Sequence, residues 1–319
     1  MNTFETTPLA CLDYYIDINR KTESIFLQTG DRTNFKTGDN YIDNVYLYHN
    51  IDRRYEGFIF LLEDFFMGTK SMTHNIYGVV PHPDWTIDEY LFLIYAHRIF
   101  GSGTSNEANH GYHNCRLLEM GKFSNWRSFM VWLMNDDAKF VSCRVNQPPR
   151  YKLKKLVMDH FGPWSNFIKT NIKPNMSVKQ VVDTMNEYNK AQGLHAFHFH
   201  YLLMAADLAN YVNLPTPING LFTIDEWSEC QLGPSSRTAM GVLKKKWKMT
   251  DFDKLCSRYN MKPIDLEDLL CVWGKYIRNP IWDFYVDTTK HTSINDFHNG
   301  WNFVDKHHTY DKIKTKYKW

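Results

Sequence analysis

Apolar positions along this 319-residue chain recur mostly at helical spacing. The pattern predicts helices over about 43–67, 86–100, 105–120, 176–191, 196–212, 236–248, 250–260 and 264–277. Thr86-Ile87-Asp88-Glu89 and Ser177-Val178-Lys179-Gln180 read as helix starts, the second as a reciprocal capping box. Alternating β-branched runs are scarce, so strands should be few and short. Proline breaks fall at Pro81-His82-Pro83, Pro148-Pro149 and Pro215-Thr216-Pro217, each flanked by aromatics rather than by linker-like residues. There is no internal repeat and no low-complexity segment. The expected class is mainly α.

Composition narrows this further. Aromatics reach 16%, including ten Trp, so apolar burial is ample and global disorder is excluded. A net charge of +2 neither demands nor forbids a polyanionic partner, because a basic surface can be local. The six cysteines are scattered without a Cys-x-x-Cys pair, which argues against zinc ribbons and disulfide scaffolds. They read as reduced thiols of a cytoplasmic protein. No basic region followed by an apolar core opens the chain, so no secretory signal is expected. Apolar runs such as Phe58-Ile59-Phe60-Leu61-Leu62 are too short to span a bilayer, and no membrane partner is expected.

The most informative run is Gln231-Leu232-Gly233-Pro234-Ser235-Ser236-Arg237-Thr238-Ala239-Met240-Gly241. Gly and Pro turn the chain, and either Ser235 or Ser236 is expected to N-cap the helix that follows. Amides at that helix start suit an anion, with Arg237 as a clamp on phosphate or carboxylate. A capped helix with a surface arginine explains the same residues.

Three further blocks accompany it. They are Leu266-Glu267-Asp268-Leu269-Leu270-Cys271-Val272-Trp273-Gly274-Lys275-Tyr276, His195-Ala196-Phe197-His198-Phe199-His200-Tyr201 running on to Asp207-Leu208, and Asp43-Asn44-Val45-Tyr46 followed by Asp52-Arg53. In order and rough spacing the four blocks, over about residues 40–280, resemble the alpha-glutamyl/putrescinyl thymine pyrophosphorylase family. That family shares its helical domain with phage 5-hydroxymethyluracil DNA kinases. Its pattern has Gly-Pro-Gly-x-Arg-x-Gly and a closing Leu-Cys-Glu-Phe-x-Lys-Tyr. Here Ser235 replaces the second glycine, Val272 replaces the acid after the cysteine, and the glycine-rich turn shrinks to Gln192-Gly193-Leu194-His195.

The resemblance implies a fold like the helix-hairpin-helix DNA glycosylases, two helical lobes around a cleft within residues 1–290, with 291–319 as a basic, aromatic extension. It implies a phage transferase, acting in the host cytoplasm, on double-stranded DNA that carries a modified pyrimidine. The reaction would attach an amino acid or polyamine to 5-phosphomethyluracil, or its pyrophosphorylated form, displacing the phosphate. The hypermodified thymidine would evade host restriction. A DNA glycosylase excising a modified pyrimidine, and a non-catalytic module binding modified DNA, are the alternatives. No cofactor is expected.

Candidate residues follow from this frame. Asp207, inside the small-residue run Met204-Ala205-Ala206-Asp207-Leu208-Ala209, is either a structural acid or the general base, with Glu226 and Glu229 competing and Glu229 the second choice. Gly233, Ser235, Ser236, Arg237 and Lys275 would cradle the phosphate. Lys275 also fits simple compensation of a helix dipole. Tyr46, Asp52, Arg53 and His198 would contact DNA or a flipped base, although a solvated helix face explains Asp52 and Arg53 equally well. His195, His198 and His200 lack a third ligand on one face, so no metal is expected, and packing or stacking accounts for them. Gly101-Ser102-Gly103-Thr104-Ser105 lacks the Gly-Lys-Ser/Thr ending of a nucleotide-binding loop, so no kinase domain is expected. The lysines and aromatics of 306–319 fit either a nucleic-acid grip or a solvated tail.

Overall fold

A computed structural model describes residues 6–29, 51, 86–100, 122–135, 150–195, 198–209 and 222–277. Those residues are mainly helical. They form α1 (Thr6–Thr29), α2 (Ile87–Phe100), α3 (Trp126–Asn135), α4 (Arg150–Asn171), β1 (Met176–Ser177), α5 (Val178–Ala191), α6 (His198–Ala209), β2 (Ile224–Asp225), α7 (Pro234–Leu243), α8 (Met249–Tyr259) and α9 (Pro263–Tyr276). The helix expected over 43–67 lies outside the described residues except at Ile51, which forms a bend, and the helix expected over 105–120, the three proline breaks, the 101–105 loop and the 291–319 extension lie outside them altogether.

The chain divides into two compact units, one of Arg53–Gln231 and one of Met1–Asp52 with Leu232–Trp319. In the first unit α2 is the central element. Tyr90, Leu91, Phe92, Leu93, Ile94, Tyr95 and Ala96 are all fully buried, which explains a sequence apolar on every side rather than on one stripe. Thr86 starts the helix as expected, its amide donating to the Glu89 carboxylate at 2.9 Å. Around α2 pack α3, α4 and α6. Phe161 of α4 meets Phe92 edge-on at 5.2 Å and Trp126 at 4.7 Å. Each such fully buried side chain contributes roughly 1.5–3 kcal/mol of burial free energy. This packing keeps α4 helical through Gly162 and Pro163, although Pro163 has no amide to donate.

The Ser177 cap forms as the sequence predicts. Its Oγ accepts from the Gln180 amide at 3.0 Å while Gln180 Oε1 accepts from the Ser177 amide at 2.8 Å. β1 and β2 pair in parallel, Met176 opposite Ile224 and Ser177 opposite Asp225. This bridge carries the segment that ends at Glu229 past the start of α5, where the Lys179 amide donates to the Glu229 carbonyl at 3.1 Å.

The second unit packs α1, α7, α8 and α9 around Leu12, Tyr15, Ile16, Met240, Leu243, Phe252, Leu255, Leu266, Leu270 and Trp273. Pro263 stands at the first position of α9, where its fixed φ suits a helix start and its missing amide costs nothing. Asn260 ends α8 at φ 49°, a left-handed conformation that asparagine tolerates better than most residues. Asp13 of α1 ties the first helix to the end of α8, accepting from Arg258 Nη2 at 2.8 and 3.0 Å and from the Tyr259 hydroxyl at 2.8 Å.

Candidate functional site

The Gly233–Arg237 turn differs from its sequence reading in one respect. The helix begins at Pro234, and Gly233 is the N-cap, with no side-chain cap. Neither Ser235 nor Ser236 caps it. Proline presets the helical φ at the first position, so the helix starts ahead of both serines. Ser236 is instead buried. Its Oγ lies 2.7 Å from Glu267 Oε1 and 2.9 Å from the Glu267 carbonyl oxygen, so its one proton is shared between two acceptors. The Gly233 amide donates to the same Oε1 at 2.9 Å. Glu267 is itself buried, in the second turn of α9. The inner side of the turn is therefore held by an internal carboxylate that complements the positive helix end.

The outer side carries Arg237. Its amide closes the first helical bond to the Gly233 carbonyl at 3.0 Å, while its side chain is exposed. Ser235 is half-buried beside it. Lys275 lies in the last turn of α9, and its side chain is outside the described residues.

Asp207 belongs to the other unit and has a specific partner. It is fully buried on α6 and accepts two hydrogen bonds from Arg98 of α2, Nε to Oδ2 at 2.6 Å and Nη2 to Oδ1 at 2.5 Å. Arg98 is also buried, two residues after the fully buried run from Tyr90 to Ala96. Burial, and then the charge of Asp207, pushes the Tyr90 phenol well above its ordinary value, so Tyr90 shares this environment. A carboxylate in a bidentate guanidinium clamp has both oxygens engaged. Its chemistry is that of an ion pair joining two buried helices. The sequence reading missed Arg98; a lone arginine in Leu93-Ile94-Tyr95-Ala96-His97-Arg98-Ile99 was the available signal.

Glu229 is exposed, with its backbone held at the start of α5. The Lys179 ammonium there is raised first by its hydrogen bond to Asp183 (2.9 Å), then by the charges of Asp183 and Glu229. Glu229 thus has access to solvent and a cation in its neighbourhood. Glu226 is half-buried in the same turn region.

His198 opens α6, with its side chain outside the described residues. The His195 carbonyl accepts from Asn189 Nδ2 at 2.8 Å, so that residue is part of the α5–α6 connection. Among the described residues no group of three His, Cys, Asp or Glu is placed to hold a metal ion. None of the described helices is long and apolar enough to cross a membrane. Tyr46, Asp52 and Arg53 lie outside the described residues. The structure therefore brings together Gly233, Ser236 and Glu267 in one unit, and Asp207, Arg98 and Tyr90 in the other.

Comparison with known proteins gives no match: no family model, no curated protein and no solved structure is similar to the chain.

Proposed function

We propose that this chain is a transferase acting on a modified pyrimidine in double-stranded DNA, attaching an amino acid or polyamine to 5-phosphomethyluracil or its pyrophosphorylated form. A helix-hairpin-helix, glycosylase-like arrangement of two lobes around a cleft belongs to the same proposal, as does a role in a phage that evades host restriction. Four motif blocks in order point to the family. The observation that carries the chemistry is the turn at Gly233–Arg237, buttressed from within by buried Glu267 and presenting an exposed arginine outward.

Such a turn suits a departing phosphate. The amine nitrogen forms a bond to the methylene carbon, the carbon–oxygen bond breaks, and phosphate leaves with the electron pair. Arg237 meets the growing negative charge, with Lys275 as a second cation. An amine arrives as ammonium and must lose a proton before attack. Glu229 takes that role because its carboxylate is exposed. Asp207 is assigned the scaffold, since Arg98 occupies it.

The test is incubation with 5-phosphomethyluracil DNA and a mixture of amines, followed by nucleoside mass spectrometry. A new amino-thymidine supports transfer. Release of the free base would instead make the chain a glycosylase, and unchanged DNA would leave a binding module.

A further inference from the structure

A second feature of the α7–α9 unit goes unused by that chemistry. From Pro234 to Lys262 the chain carries eight Lys or Arg against two Asp, so a local charge of +6 sits within a chain of net charge +2. Its centre is the α7–α8 loop, Lys244-Lys245-Lys246-Trp247-Lys248.

The loop is braced at both ends by one acid. Asp251 is buried; its Oδ1 accepts from Lys244 Nζ at 2.8 Å and its Oδ2 from the Lys248 amide at 2.9 Å. These bonds, Lys244 first, hold the Asp251 carboxyl below its ordinary range. Trp247 turns inward and packs against the unit's core. Lys245, Lys246 and Lys248 are left exposed, and among the described residues no carboxylate forms an ion pair with Lys245 or Lys246. Asp251 is thus already engaged in holding the loop. Exposed Arg237 lies one helix earlier in the same unit.

We propose that Lys245, Lys246 and Lys248 form a phosphate-backbone grip for duplex DNA. The inference rests on DNA as the partner in the proposed function, but not on the reaction performed there. A braced row of ammonium groups matches a polymer with a phosphate at every step, and it reads no sequence. An anionic bilayer is the less suited partner, because the aromatic residue of the loop is turned into the core rather than outward for insertion.

The test is fluorescence anisotropy of a labelled, unmodified duplex across a salt series, using the full chain. Each phosphate contact contributes about 0.9 to the slope of log affinity against log salt, so Lys245→Gln/Lys246→Gln/Lys248→Gln lowers that slope by about 2 to 3. A control triple at exposed lysines elsewhere, Lys21→Gln/Lys155→Gln/Lys190→Gln, removes the same charge and leaves the slope nearly unchanged. Thermal unfolding of both triples confirms that they fold. An unchanged slope in the loop triple, an equal loss in the control, or no duplex binding by the parent chain overturns the proposal. Binding to phosphatidylserine vesicles in place of DNA also overturns it. Loop-dependent DNA binding without amine transfer leaves the grip standing and removes only the transferase reading.

Discussion

Arg98 and Asp207, 109 residues apart in sequence, form a bidentate ion pair between two helices that are buried almost all round. Removing one partner of such a pair strands a charge in the interior at about 3–5 kcal/mol, whereas replacing both with apolar residues is often neutral or stabilising.

Asp207→Asn should accordingly lower stability by an amount of that order, with Arg98→Met costing a similar amount. The double variant Arg98→Met/Asp207→Leu should recover most of the loss. Urea denaturation of the three variants measures this. An Asp207→Asn protein with parental stability and no turnover would return Asp207 to the chemistry.

Ser235 and Ser236 are adjacent and chemically identical, yet the structure separates them. Ser236→Ala leaves buried acceptors on Glu267 short of a donor and should cost about 1–3 kcal/mol. Ser235→Ala, at a half-buried position outside that cluster, should change stability by no more than about 0.5 kcal/mol. Equal effects would contradict the placement of the helix start at Pro234.

Two acids contribute pH dependence of the same sign. Asp251 is lowered chiefly by its bond from Lys244. At Asp88 burial acts to raise the carboxyl, but hydrogen bonds from Lys169 (2.7 Å) and Ser165 (2.6 Å), with the charge of Lys169, outweigh it and the net shift is downward. A depressed folded pKa adds stability that is complete above the unfolded value of about 4 and is lost as pH falls through the folded one. The stability gap between parent and Asp251→Asn should therefore be steady at neutral pH and shrink below about pH 4. A gap that widens on acidification would contradict the assigned direction. Unfolding midpoints measured at several pH values decide it.

These sites also mark what local pattern carried and what it did not. Helix starts with self-contained chemistry were legible: Glu89 accepts from Thr86 three residues before it, and Ser177 and Gln180, at the same spacing, satisfy one another. So was the scarcity of strand among the described residues. α4 was not, because Gly162 and Pro163 interrupt its pattern and only packing of Phe161 and Trp164 against α2 and α3 sustains it. α1 was missed as well, its apolar positions being diluted by polar ones such as Asn19, Thr22 and Glu23 that are buried in the fold. The helix expected to run to 248 stops at Leu243, because Asp251 recruits Lys244 and the Lys248 amide into a loop. At the candidate site the Gly-Pro turn was legible, since both residues act on their own backbone. Glu267 and Arg98 were not, since each finds its partner across 31 or 109 residues, a separation that no local periodicity encodes.

Nitrogen transfer coupled to phosphate release tests the central proposal most directly. With 5-phosphomethyluracil DNA and a 15N-labelled amine mixture, the chain should incorporate label into thymidine nucleosides and release inorganic phosphate in equal amount. Arg237→Ala should slow both together while leaving affinity for unmodified duplex largely intact, because its clamp acts on the leaving group. Phosphate release without nitrogen incorporation, or neither product from a chain that binds the substrate, would contradict the account.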